Sequence, residues 1–302
     1  MSDAAFLSDA RSGLLAPRIS VDVEELSRLW RWDEARVICE RPNSLEETPD
    51  LPMRVRGAWG RALRDHALMP RRRDPWGRPS AWETLFLFDP PREPGFEAAR
   101  PYAVRVDVRR DTVEASIRLF GWAGLYVDEA LLALWRALEG GVSLRTSGRM
   151  RVSFPPIEAH RSRAEGLAAQ GVTRHGRLFF DSPTIVRRQR TLAIDPPSIL
   201  MGAVRRAASL APWMELGLAR NGPRLREACQ ALTYDMSELL PARWTRWSIR
   251  RPGSPIPVNA MVGSMSFHGD IDPIAPYLRL AETCGLGSHA ALGFGRVRAV
   301  LY

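Results

Sequence analysis

No lysine occurs in this chain: across 302 residues, all 43 of its lysine-plus-arginine side chains are arginine. Codon bias in a GC-rich genome exchanges the two residues by itself. It does not create an excess of one sign, and here 34 acidic residues leave a net charge of +9. Cysteine is scarce as well. Cys39, Cys229 and Cys284 stand far apart, which excludes a disulfide framework or a CxxC zinc pattern and leaves buried thiols as the expectation. No apolar run approaches the roughly 18 residues that a membrane helix needs. The opening MSDAAFLSDAR lacks the basic and apolar regions of a signal peptide, so a cytoplasmic location is expected. HExxH motifs, clustered carboxylates and paired cysteines are also missing, which makes metal chemistry a poor account and calls for no cofactor.

What is present bounds the rest. With 45% apolar residues the chain can bury a full core, and its length fits two domains of about 100 to 150 residues. The positive excess needs a partner. Guanidinium forks bind phosphates bidentately and stack on bases, so nucleic acid leads.

Periodicity gives nearly the same order of elements twice. EARVICER reads as a strand, and VRGAWGRALRDHA as a helix with Val55, Trp59, Ala62 and Leu63 on one face. TLFLFD, residues 84–89, reads as a short strand. Val104, Val106 and Val108, the turn RRDT, and then Val113, Ala115, Ile117 and Leu119 make a hairpin. Asp128 is placed to cap a helix carrying Leu131, Leu134, Trp135 and Leu138, which Gly140 and Gly141 end; a strand with Met150, Val152 and Phe154 follows. Strand, helix, two strands, helix, strand is the ferredoxin-like pattern. The polar stretch 155–171 reads as the domain junction. After it, GRLFFDSPTIVRR opens a second half as strand and turn, and DPPSILMGAVRRAASLAPW and GPRLREACQALTYDMSELL read as helices. WTRWSIRR and VGSMSFHGD alternate as strands. A closing helix with Asp272 as cap and Gly285 as terminator leads into GRVRAVLY. The expectation is an α+β chain of two tandem ferredoxin-like domains: an extension over 1–33 with a short helix capped by Asp22, a first domain over 34–157, and a second over 158–302.

Between the last helix and strand lie Gly285, Gly287, Gly293 and Gly295, with Arg296 and Arg298 behind them. Glycines leave backbone amides open to a phosphate chain, so this loop is a candidate cradle for RNA; the competing account is packing at a helix end and a strand bend. It is not a dinucleotide or phosphate-loop fingerprint. Those need strand, glycine loop and helix in that order, and here the order is reversed.

The whole closing block, VGSMSFHGDIDPIAPYLRLAETCGLGSHAALGFGRV over residues 262–297, resembles that of the CRISPR-associated endoribonucleases of the RAMP superfamily that process precursor CRISPR RNA. WTRWSIRRPGSPIPVNAMVG before it, FFDSPTIVRR over 179–188, RVRGAWGRALRDHA and RPYAVRVDV are similar to segments of that family in the same order. One departure is LMPRRRDPWGRPSAWETLF, which carries arginine, proline and tryptophan where relatives often carry cysteine. The resemblance implies tandem ferredoxin-like RAMP domains and metal-independent cleavage of CRISPR repeat RNA to mature guide RNA by the ribose 2′-hydroxyl. A non-catalytic RAMP subunit that binds guide RNA beside other CRISPR effector subunits is the alternative.

Such cleavage needs a general acid, a general base and cations for the charge building on the phosphate. By its position near the first helix, His66 matches the place from which that family usually draws its catalytic histidine; it also shares a helix stripe with Val55, Trp59 and Leu63, which favours packing. His289 in the glycine loop is a second candidate, with His160, His175 and His268 behind it, and Arg61 is the catalytic cation. Arg56 and Arg64 flank Gly60 on one helix face, a groove for an RNA backbone, with Arg54 and Arg61 on the neighbouring face. Arg71, Arg72 and Arg73 lie beside Trp76, Arg78 and Trp82. Arg243, Arg246, Arg250 and Arg251 interleave with Trp244 and Trp247, pairing charge with stacking surfaces.

Overall fold

The computed structural model describes residues 17, 19–45, 48–67, 79–88, 92–93, 96–144, 151–168, 171, 173–188, 191–219, 221–248 and 251–302. The chain forms two compact units: the first takes in Met1–Gly166, Ala208–Leu218 and Ala291–Gly293, the second Leu167–Ala207, Ala219–Ala290 and Phe294–Tyr302.

In the first unit the order is β1 (Arg31–Glu40), α1 (Leu51–Ala67), β2 (Tyr102–Val108), β3 (Thr112–Phe120), α2 (Val127–Glu139) and β4 (Pro156–Glu165). These strands form an antiparallel sheet in the order β2-β3-β1-β4, the ferredoxin-like arrangement with the first strand beside the third. Period-2 alternation puts Ala35, Val37 and Cys39 of β1 on the same face as Val113, Ala115 and Ile117 of β3, all buried. Helix α1 buries Val55, Trp59 and Leu63, and α2 buries Ala130, Leu134 and Leu138. The Trp59 indole N–H donates to the Ala130 carbonyl at 3.1 Å, which joins the two helices. The helix expected in the extension forms over Val23–Leu29, with Asp22 accepting from the Glu25 amide at 2.8 Å.

Three expectations change here. The junction stretch is, over Pro156–Glu165, the edge strand β4; nearly all its side chains face solvent, which hides the alternation by which a strand is read. TLFLFD is not a strand: Glu83–Leu87 is a π-helical turn. It follows a capping box that was missed, in which the Ser80 amide donates to the Glu83 carboxylate at 2.7 Å and the Glu83 amide to Ser80 Oγ at 3.3 Å. Asp128 caps nothing. A 3-10 turn over Gly121–Tyr126 runs straight into α2, and Asp128 instead takes Arg161 at 3.0 Å, while Gly140 ends the helix as expected.

The second unit repeats the plan with β5 (His175–Thr184), α3 (Pro196–Leu210, its last turn clustering with the first unit), β6 (Leu239–Ser248), β7 (Arg251–His268), α4 (Ala275–Cys284) and β8 (Val297–Leu301). Its strands run β8-β5-β7, all antiparallel, with β6 and the short strand Thr233–Asp235 along the far side of β7. Leu178 lies between Met265 and Ala299 in register and is buried with them, as is Leu278 of α4. Residues 222–240 were read as one helix but hold the helix Gly222–Gln230, the strand and the start of β6. Nor does Asp272 cap α4; it accepts from the Thr173 amide at 2.8 Å, and α4 starts at Ala275 and ends, as expected, at Gly285 with φ 84°. All three cysteines are buried. Among the described residues no helix is long and apolar enough to cross a membrane.

Candidate functional site

Helix α1 carries most of the predicted site residues, and its two halves use their arginines differently. Arg54 is bound to the fold: it pairs with Asp50 at 2.7 Å and donates to the Ser143 carbonyl at 2.8 Å. Arg56 donates to the Tyr102 hydroxyl at 2.9 Å and lies 4.4 Å over the Phe86 ring. That ring also fills the groove expected over Gly60, since a Cβ built at Gly60 would sit 2.5 Å from Phe86 Cε1. Phe86 in turn stacks between Trp82 and Tyr102, with ring centroids 4.8 and 5.7 Å away. An RNA backbone has no room there.

The second half is different. Arg61 lies two helical turns after Arg54 and therefore on the same face, beside the small ribbon in which Val142–Ser143 pairs with Arg151–Val152. Ser143, whose carbonyl holds Arg54, is the register partner of Arg151. The Arg61 guanidinium is pushed below its ordinary pKa, first by burial, then by the charges of Arg151 and Arg64, and Asp65 offsets part of this. Arg64 bonds Asp65 at 3.1 Å, whereas among the described residues neither Arg61 nor Arg151 has an ion-pair partner. Arg61 is half-buried while Arg64 and Arg151 are exposed, so these like charges stand at the surface where an anion can join them. His66 stands half-buried in the same last turn, where the packed stripe of Val55, Trp59 and Leu63 ends. Sequence reading named Arg61, Arg64 and His66 and missed Arg151, whose outward place between Met150 and Val152 was the available signal.

The glycine loop folds for reasons of its own. Gly285, Gly287, Gly293 and Gly295 all have positive φ, from 75° to 87°. A Cβ on Gly287 would meet the Ile185 carbonyl at 2.4 Å, one on Gly295 the Leu286 carbonyl at 2.2 Å, and one on Gly293 the Pro52 side chain at 2.2 Å. Several loop amides are already bonded: Leu286 N–H to Gly295 at 2.7 Å, Ser288 N–H to Ile185 at 2.8 Å, Gly295 N–H to Pro183 at 3.0 Å and Arg296 N–H to Ser182 Oγ at 2.9 Å. Chain geometry thus accounts for the glycines without a bound phosphate. His289 is half-buried with φ 73°, its Nδ1 3.0 Å from Ser288 Oγ.

Elsewhere the predicted residues do not converge. Arg243 is exposed opposite Asn259 on β7, and the side chains of Arg246 and Arg251, all of Arg250, and residues 71–78 lie outside the described residues. His160 sits on the edge strand β4 against Glu158 at 2.9 Å. On the open face of the second sheet Arg298, noted behind the glycine loop, and Arg177, which the sequence did not single out, lie 4.2 and 5.0 Å from the centre of the Phe179 ring.

Two tandem ferredoxin-like units, the second closed by a glycine-rich loop and a final strand, make up the fold. Residues 178–297 match the family model of the CRISPR-associated endoribonuclease Cas6, which bears out the resemblance to precursor-crRNA-processing endoribonucleases. Among solved structures the chain is similar in fold to the Cas6 (TTHB231) product complex, at TM-score 0.55 and 14% identity over 90% of this chain and 100% of that one. The Cas6 (TTHA0078) product complex gives 0.50 and 21% over 89% and 99%. Thermus thermophilus Cas6 (TTHB231) gives 0.52 and 11% over 90% and 99%. No curated protein matches by sequence.

Proposed function

We propose that this protein cleaves CRISPR repeat RNA at the end of α1 to release guide RNA. The observation that supports the reading is the crowding of Arg61 by the charges of Arg151 and Arg64 at the end of α1, the helix that also carries His66, in a chain whose residues 178–297 match the Cas6 family model. RNA presents the closely spaced negative charges that such a cluster lacks.

In the reaction, the ribose 2′-hydroxyl beside the scissile phosphate attacks in line, the P–O5′ bond breaks, and the products are a 2′,3′-cyclic phosphate and a free 5′-hydroxyl. His66 acts as acid or base, since imidazole titrates near neutral pH. Arg61 and Arg151 stabilise the charge that grows on the phosphoryl oxygens, Arg61 from a half-buried position where that attraction exceeds its value in water. No metal is needed for these steps. Arg64, half-neutralised by Asp65, orients the backbone, while Arg243, Arg246, Arg250, Arg251 and Arg296 are RNA contacts that belong to the second unit. The role of Gly285, Gly287, Gly293 and Gly295 is to hold the loop that carries His289.

Purified protein incubated with labelled repeat RNA in EDTA tests the reading. A single cut with a cyclic-phosphate end is expected. A mobility shift without a cut would make the chain a guide-binding subunit that works beside other effector subunits, and no shift at all would remove RNA as the partner.

A further inference from the structure

On the open face of the second sheet one row runs across four strands: Tyr302 at the end of β8, His175 on β5, His268 on β7 and Thr233 beside it, all exposed. The His175 amide donates to the Tyr302 carbonyl at 2.8 Å and the Tyr302 amide to the His175 carbonyl at 3.0 Å. A residue in an antiparallel strand turns both backbone groups to one side, so His175 and His268 form a non-hydrogen-bonded pair, the kind whose side chains come closest. Their rings lie 4.3 Å apart between centroids, with Nδ1 facing Nδ1 at 3.0 Å.

That separation has a meaning beyond a shared proton. Two imidazole nitrogens on one zinc ion, at about 2.0–2.1 Å each, stand about 2.9–3.4 Å from one another for square or tetrahedral angles. We infer that His175 and His268 form a bidentate site for a divalent ion of the zinc, nickel and copper class, for which neutral imidazole is a preferred ligand. Among the described residues no third histidine, cysteine or carboxylate joins them, so water fills the remaining positions and the site is open to exchange. The groups around it are Arg177, two residues along β5, the Tyr302 ring 6.0 Å from His175, Thr233, and the Arg174–Asp270 pair at 3.2 Å. The ion bridges two adjacent strands and adds stability to the folded state alone. The inference does not depend on the RNA reading.

Tag-free, chelator-stripped full-length protein titrated with zinc chloride in a calorimeter tests it. One ion per chain is expected. His268→Phe keeps a ring against His175 but removes a ligand, so affinity drops about a hundredfold or more, at or above the top of the range that loss of a supporting hydrogen bond gives; His268→Cys restores binding. Zinc raises the thermal midpoint of the unaltered protein and not of His268→Phe. As a readout that needs no variant, the imidazole nitrogen resonances of His175 and His268 shift on adding zinc while those of His160 do not. Equal zinc uptake by the unaltered protein and the doubly substituted His175→Phe/His268→Phe chain, or unshifted resonances at saturating zinc, would overturn the site and leave only a hydrogen-bonded pair.

Discussion

The first turns of α1 and its last turns are equally rich in arginine, and they do opposite work. Arg54 and Arg56 are spent on Asp50, Ser143, Tyr102 and Phe86, so they fasten the helix to its unit. Arg61, with Arg151 drawn up beside it, sits among like charges under partial burial. A cation that already has its partners contributes to folding; one that is crowded by its own sign is available to a polyanion. Sequence spacing alone does not separate the two.

Substitutions along the helix sharpen this contrast, and the largest effect falls at its end. His66→Ala slows a single-turnover cut about a hundredfold or more, with RNA affinity nearly unchanged, if His66 is acid or base; a fall in thermal midpoint with the cut rate intact would instead assign it to packing. Next come Arg61→Ala and Arg151→Ala. Each weakens RNA binding, lowers the slope of log affinity against log salt by about one, and slows the bound reaction, whereas Arg54→Ala leaves that slope alone. Equal slopes for Arg54→Ala and Arg61→Ala would erase the distinction.

Smaller effects belong to the first half. Arg56→Ala costs about 1.5–3 kcal/mol of stability through the lost charge-assisted bond to Tyr102, measured by urea unfolding, and changes RNA affinity little. Gly60→Ala pushes on the Phe86 ring and costs about 1–3 kcal/mol by the same assay. Near neutral pH the smallest effect is that of two buried thiols, Cys39 on β1 and Cys229 in the helix Gly222–Gln230, because it emerges only in alkali. Burial pushes the Cys39 thiol up to about 12 and the Cys229 thiol up to about 11. A neutral thiol favoured by folding contributes stability in full below the ordinary thiol pKa of 9.0 and loses it as pH rises through those values. The unfolding midpoint therefore declines above about pH 9, and native-state alkylation is slow at both sites.

Much of this architecture could be read beforehand where burial is one-sided. The hairpin at Val104 to Leu119 and the α1 stripe of Val55, Trp59 and Leu63 have one face in the core, and their alternation is plain. Strand β4 escaped because solvent meets almost all of it, and the turn at Glu83–Leu87 escaped because a short apolar run fits helix and strand alike until Ser80 and Glu83 are seen to cap each other. The site was legible as a list of basic residues on α1. Its composition was not, because Arg151 reaches Arg61 through tertiary structure and Phe86 occupies Gly60 from a segment distant in sequence.

The border strand β4 has a colloidal consequence. It ends the first sheet, and along it stand Glu158, His160, Arg161, Arg163 and Glu165, of which Arg161 and Arg163 reach across to Asp128 and Asp33. Another chain seeking to extend the sheet by docking there would have to strip water from this charged fringe and break both bridges to line up its own backbone. The exposed border therefore resists lateral pairing, and concentrated protein is protected from strand-to-strand aggregation at the place where the first sheet would otherwise invite it.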